Sequence, residues 1–231
     1  MDGKAKKTAG MALKYIVLII LAILWVVPII TLVFTAVKSK GDFFSGMSLF
    51  QMPENIAWDN FTNAMTKGRL FQYMKNDLII CCLKVPLGIF VEAMAAFAIT
   101  RLTLKKPTAW FTFFLIGMML PMQVALVPIS IIYNKLNLTN TYFGLFYVYI
   151  GFGISNGILI MHGFFKGIPR DLDEAAYIDG ASKWRTFINI IFPVAKPAVA
   201  TLLITDFLAT WNEYLLATVI INDNKLKTVP V

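Results

Sequence analysis

The chain has 231 residues, of which 58% are hydrophobic and 15% charged, against about 25% charged in soluble domains. A mean hydropathy of +0.70 points the same way and excludes an ordinary soluble domain. The net charge of +8 is spread among loops rather than gathered in a patch, so no nucleic-acid partner is expected.

Five apolar runs account for the composition: 15–37, 78–100, 109–133, 142–161 and 198–221. Each matches the roughly 20 residues that cross a hydrocarbon core about 30 Å thick. The expected fold is an all-α polytopic membrane protein with five visible spans. The first run follows Lys4, Lys6, Lys7 and Lys14, but it exceeds a signal h-region and lacks a small-residue cleavage site, so it reads as a retained span. With the N-terminus inside, one side also collects Arg101, Lys105, Lys106, Lys166, Arg170, Lys183, Arg185 and Lys196. That excess over the opposite side predicts a cytoplasmic N-terminus.

The 38–76 segment is the longest external loop, and its aromatic residues suit an interfacial layer. Span two carries Lys84 and Glu92, eight residues apart. About 12 Å of rise keeps them from pairing directly, while their angular positions form one polar seam. Cys81 and Cys82 are adjacent in that span and read as small apolar fillers, neither disulfide nor metal site. Span three contains Pro121 and Pro128 flanking Gln123, a pattern open to a cavity-lining break or a simple kink. Span four, rich in glycine at 144, 151, 153 and 157, reads as a close-packing surface. Its His162 reads as an interfacial residue. Span five adds Asp206 and Glu213, next to Trp211 and Asn212. Charges at membrane depth cost at least about 2.5–3.5 kcal/mol each. They are open to interhelical bonding, a polar translocation path or a proton relay. Gln123, Trp211, Asn212 and Glu213 form the candidate substrate path, since an aromatic face beside hydrogen-bonding groups suits sugars.

Between spans four and five lies a polar island, 164–196, punctuated like a folded element. Pro169 marks a boundary. Asp171 is placed to cap a short helix, Glu174 stands at capping-box spacing, and Asp173 and Glu174 put negative charge in its first turn. Gly180 suits a left-handed C-cap, and Ser182 is placed to cap a second helix over 183–191 that Pro193 ends. Two short helices joined by a glycine elbow make a knob outside the bilayer. No Ser/His/Asp set, HExxH, GxSxG or phosphate-cradling glycine loop occurs. The chain is therefore read as no enzyme, with no metal site and no cofactor of its own.

The run Glu174-Ala175-Ala176, then Gly180 after three residues, Ile190 after nine more, and Pro193 resembles the EAA loop of permease subunits of binding-protein-dependent ABC importers. Asp179-Gly180-Ala181-Ser182, Gly167-Ile168-Pro169, Trp211-Asn212-Glu213-Tyr214 and the 121–128 stretch are similar to the carbohydrate permeases that include the smaller membrane subunit of the maltose importer. The resemblance covers nearly the whole chain. It implies a bacterial or archaeal cell membrane, a second permease subunit, two cytoplasmic ATPases holding ATP and Mg, and an extracytoplasmic solute-binding protein. It also implies that Glu174, Ala175, Ala176, Asp179, Gly180, Ala181 and Ser182 couple to the ATPases within a cytoplasmic loop over 164–196. Such permeases usually have six spans, so a sixth is expected beyond Val231. The substrate implied is a sugar or oligosaccharide, with a polyol, glycerol phosphate or peptide as alternatives. From a different class, an ion-coupled secondary transporter would use Glu92 and Asp206.

Overall fold

The computed structural model describes the backbone from Asp2 to Val231, and the side chains of Thr8 and of residues from 10 onward. Lys4, Lys6 and Lys7, which carry part of the orientation argument, have side chains outside the described residues. Among the described residues every regular element is helical. The chain divides into two compact units, Met1–Leu70 and Phe71–Val231.

The first unit holds α1 (Asp2–Ala36), α2 (Lys40–Phe44) and α3 (Asp59–Thr66). The membrane-length part of α1, Gly10–Ala36, buries none of its apolar window within the chain. Such a surface is compatible with lipid or another protein, not with water. Ser39 and Asp42 form a reciprocal capping box that starts α2. Asn60 Nδ2 ties the loop back by donating to the carbonyls of Ala36 (3.0 Å) and Lys38 (2.7 Å).

The second unit is built on two long helices, α4 (Leu70–Arg101) and α7 (Tyr142–Gly167), each long and apolar enough to cross a membrane. The apolar run over 109–133 is not one helix. It breaks into α5 (Pro107–Met119) and α6 (Met122–Lys135), bent by 94°. Leu120 is extended at φ −78°, ψ 118°, as expected before Pro121, whose ring disfavours the helical region for its predecessor.

The run over 198–221 is likewise divided, into α11 (Lys196–Trp211) and α12 (Leu215–Ile220). The 16 residues of α11 span only about 24 Å, short of a hydrocarbon core. It forms a bent pair with the preceding helical stretch, Lys183–Val194, at 75°. Among the described residues three helices, Gly10–Ala36 within α1 together with α4 and α7, are by length and composition able to cross a membrane. Up to five crossings result if each bent pair is one span.

Two apolar clusters cement the unit. One joins Val85, Ile89, Ala96 and Phe97 of α4 to Met161 and Phe165 of α7, Phe187 and Ile191 of the loop, and Ala198 and Leu202 of α11. The other joins Ile80 of α4 to Leu145 and Val148 of α7 and to Leu216, Ala217 and Ile220 of α12. Along α4 the clusters meet between Ile80 and Val85, which is where Lys84 stands. Gly157 permits α7 to come close to α4, because a Cβ there would collide with the Glu92 carboxyl group.

Candidate functional site

The polar island folds as two short helices, as its punctuation predicts, with two differences. The first helix, α8 (Asp171–Ile178), starts one residue earlier than a cap at Asp171 would allow. Arg170 occupies the N-cap without a side-chain bond, and the carbonyl of Arg170 accepts from Asp173 and Glu174 N–H. Asp171, Asp173 and Glu174 all lie in the first turn, so their charge faces the positive end of the helix dipole. The helix ends in a complete Schellman turn: Ala181 N–H donates to Ala176 O (2.9 Å) and Gly180 N–H to Tyr177 O (3.0 Å). Gly180 has φ +73°, a conformation that side chains oppose.

Ser182 Oγ then caps the second helix by accepting from Arg185 N–H at 3.2 Å. Pro193 does not end that helix. The chain runs from α9 (Lys183–Thr186) through a π-helical turn, Phe187–Ile191, into α10 (Phe192–Val194). Pro193 lacks an N–H and its ring presses on the carbonyl four residues back. The turn before it widens accordingly, with Phe192 N–H reaching back to Phe187 O. The bend comes at Ala195 instead.

Arg101, the last residue of α4, fastens this knob to the bundle. Its Nη1 donates to Asp173 Oδ2 at 2.5 Å, and its Nη2 to the carbonyls of Phe165 and Ile168. Arg170 returns the contact by donating to Thr100 O. Beneath the knob, Phe187 is 1% exposed and its ring lies 5.0 Å from that of Phe97 and 6.0 Å from that of Phe90. Sequence reasoning took Arg101 only as a topology signal. Its position at the end of a long helix, before a basic turn, offers no hint of a partner 72 residues away. At the tip of α8, Tyr177 and Ile178 are 75% and 83% exposed, an apolar pair offered outward beside Glu174.

Inside the bundle, Lys84 Nζ donates to Asp206 Oδ2 at 2.8 Å, both side chains almost fully buried. Glu92 does share a seam with Lys84. A Cβ placed on Gly153 would meet Lys84 Nζ at 3.1 Å and Glu92 Oε1 at 3.8 Å. Glu92 itself is buried, and neither carboxyl oxygen has a hydrogen-bond partner. Beside the ion pair a cavity of about 210 Å³ opens, lined by Lys84, Met122, Tyr149, Phe152, Gly153, Asn156, Asp206, Ala209, Thr210, Glu213 and Leu216. Irregular backbone at membrane depth is tolerated where it lines such a space. Both helix breaks supply lining residues, Met122 from the α5–α6 bend and Glu213 from the α11–α12 break.

Of the four residues expected along a substrate path, Glu213 lines this cavity. Its carboxylate accepts from Tyr149 Oη (2.9 Å), Leu216 N–H (2.9 Å) and Ala217 N–H (3.0 Å), so it also caps α12. Asn212 is exposed, and its Nδ2 donates to Leu208 O at 2.8 Å. Trp211 stacks on Phe207 with centroids 5.6 Å apart. Gln123 is exposed in the first turn of α6. The residues missed were Tyr149, Asn156 and Thr210, ordinary polar groups in apolar runs with no spacing signal to mark them. Among the described residues no group of three His, Cys, Asp or Glu side chains could hold a metal ion.

Residues 84–231 match the family described as the binding-protein-dependent transport system inner membrane component. The chain belongs to that family and is a multi-pass membrane permease component. It is 32% identical over 213 residues to a probable starch degradation products transport system permease protein, AmyC, of Thermoanaerobacterium thermosulfurigenes, covering 92% of this chain and 77% of that one. It is also 32% identical over 222 residues to the multiple sugar-binding transport system permease protein MsmG of Streptococcus mutans serotype c, covering 94% and 79%. A crystal structure of a bacterial ABC transporter involved in the import of the acidic polysaccharide alginate superposes with a TM-score of 0.80 at 20% identity, covering all of this chain and 79% of its counterpart. That likeness establishes the fold.

Proposed function

We propose that this chain is the permease subunit of an ABC importer for a sugar or oligosaccharide. It works with a second permease, two cytoplasmic ATPases that keep ATP and Mg, and an extracytoplasmic binding protein. The uptake of sugars named for its relatives supports the substrate class. The observation that carries the coupling half is the α8–α9 knob. Its two helices are held at a fixed angle by a Schellman turn and tied to α4 through Arg101, and they present the exposed pair Tyr177 and Ile178. A rigid lever with an apolar tip suits seating in a partner's cleft.

On this reading the knob and the N-terminus face the cytoplasm. Glu174, Ala175, Ala176, Asp179, Gly180, Ala181 and Ser182 transmit ATP-driven closure to α4 and α11. The substrate passes the α11–α12 break, where Trp211, Asn212 and Glu213 stand, with Gln123 on the first turn of α6. ATP hydrolysis belongs to the partners.

Gly180→Leu tests the lever. A side chain at φ +73° would twist the elbow and misdirect α9. Membrane insertion should persist while uptake is abolished and recovery of the ATPase with the purified permease falls. Normal uptake with a normally bound ATPase would refute the coupling role.

A further inference from the structure

We infer that the cavity beside the Lys84–Asp206 pair is a hydroxyl-binding subsite for one ring of a neutral sugar, and that it discriminates against anionic sugars. The inference rests on the sugar-importer reading above and deepens it. At about 210 Å³ the cavity falls below the roughly 300–1,000 Å³ of sites enclosing drug-sized ligands. It therefore suits a single ring or the end of a longer chain.

Its lining has the chemistry of a polyol site. Thr210 is only 4% exposed, Asn156 is half-buried, and both line the cavity. A hydroxyl and an amide on a cavity wall are placed to bond whatever fills it. Each can donate and accept, as a sugar hydroxyl requires. Lys84 has ammonium protons beyond the one given to Asp206, and Tyr149 Oη, having donated to Glu213, can still accept. Phe152 supplies an apolar face.

The charges decide the ligand class. One ammonium, already paired, faces the carboxyl groups of Asp206 and Glu213, with Glu92 Oε1 bordering the same glycine, Gly153. A uronate, sulfonate or phosphate would add a like charge where the dielectric is low and screening weak. A neutral ring brings hydroxyls alone.

The test uses the full complex in proteoliposomes, with its binding protein saturated with maltotriose or with a galacturonate trisaccharide. Sugar moved per ATP hydrolysed is measured for the natural chain, for Asn156→Leu and for Thr210→Val. Each variant removes one ligand hydrogen bond. Each should therefore lower maltotriose moved per ATP about threefold to tenfold, while binding-protein-stimulated ATP hydrolysis per assembled complex stays level. The natural complex should favour maltotriose over the uronate, and Asp206→Asn should narrow that preference. A fall in uptake and ATP hydrolysis together, in proportion to complex recovered, would make the cavity a packing defect and overturn the subsite. Equal transport of both trisaccharides would overturn the discrimination. Failure of the natural complex to move any sugar would remove the importer reading itself, and the subsite with it.

Discussion

Removing Lys84 alone would leave the buried Asp206 without its counter-charge. Breaking a buried pair in this way costs about 3–5 kcal/mol, whereas replacing both partners by apolar residues of similar size is often close to neutral. Lys84→Met should therefore lower the apparent melting temperature of the purified complex markedly, and Lys84→Met with Asp206→Leu should recover most of the loss. Transport separates the two roles of the pair, because the double variant regains stability without regaining the polar cavity. Recovery of full uptake along with stability would show that the pair serves packing only. The sequence displayed both charges within apolar runs, and their expense at that depth was legible. Their mutual contact, 122 positions apart, was not, because it depends on how α11 lies against α4.

At the scale of elements, the knob is held by a hierarchy of contacts of unequal weight. The Ser182 cap is exposed, and Ser182→Ala should cost about 1 kcal/mol. Phe187 fills the space between Phe90 and Phe97, and its truncation to alanine should cost about 3–5 kcal/mol. Limited proteolysis of the complex offers the measurement. Phe187→Ala should speed cleavage across the α8–α9 elbow far more than Ser182→Ala does, and equal rates would show that the aromatic anchor does not hold the knob. The elbow itself was readable, because Gly180 and Ser182 act through local backbone geometry. The misplaced cap at Asp171 and the helix continuing through Pro193 have one cause. In both places the chain had an alternative, a backbone carbonyl in the first and a π turn in the second, that local rules do not rank.

Across the whole second unit, Arg101 links the knob to the same helix that carries Lys84 and Glu92. On the proposed reading a push on α8 would reach α4 through the Arg101–Asp173 bond, while the same guanidinium holds the carbonyls of Phe165 and Ile168 at the end of α7. Arg101→Gln would orphan the carbonyls of Phe165 and Ile168 and leave Asp173 without its cation, at a cost of several kcal/mol. Import should fall further than binding-protein-stimulated ATP hydrolysis, because the ATPases would still turn over against a loosened lever. Measuring both on reconstituted complex decides the matter, and a parallel loss of the two would assign Arg101 to assembly rather than transmission.

The sequence by itself determined the class, because apolar runs of membrane length and a glycine elbow with its caps are local properties: each follows from a few adjacent residues and the backbone's own geometry. It also marked where charges sit at a depth that makes them costly. Only the tertiary structure decided that two of the apolar runs break, that Arg101 clasps the knob, and that Lys84, Tyr149, Asn156, Asp206, Thr210 and Glu213 surround one space. Those outcomes depend on side chains from α4, α7 and α11 meeting across long stretches of chain. A hydrophobic run of about 20 residues reads the same in sequence whether it crosses straight or folds back around a cavity, and the difference lies in which neighbour satisfies the freed backbone groups.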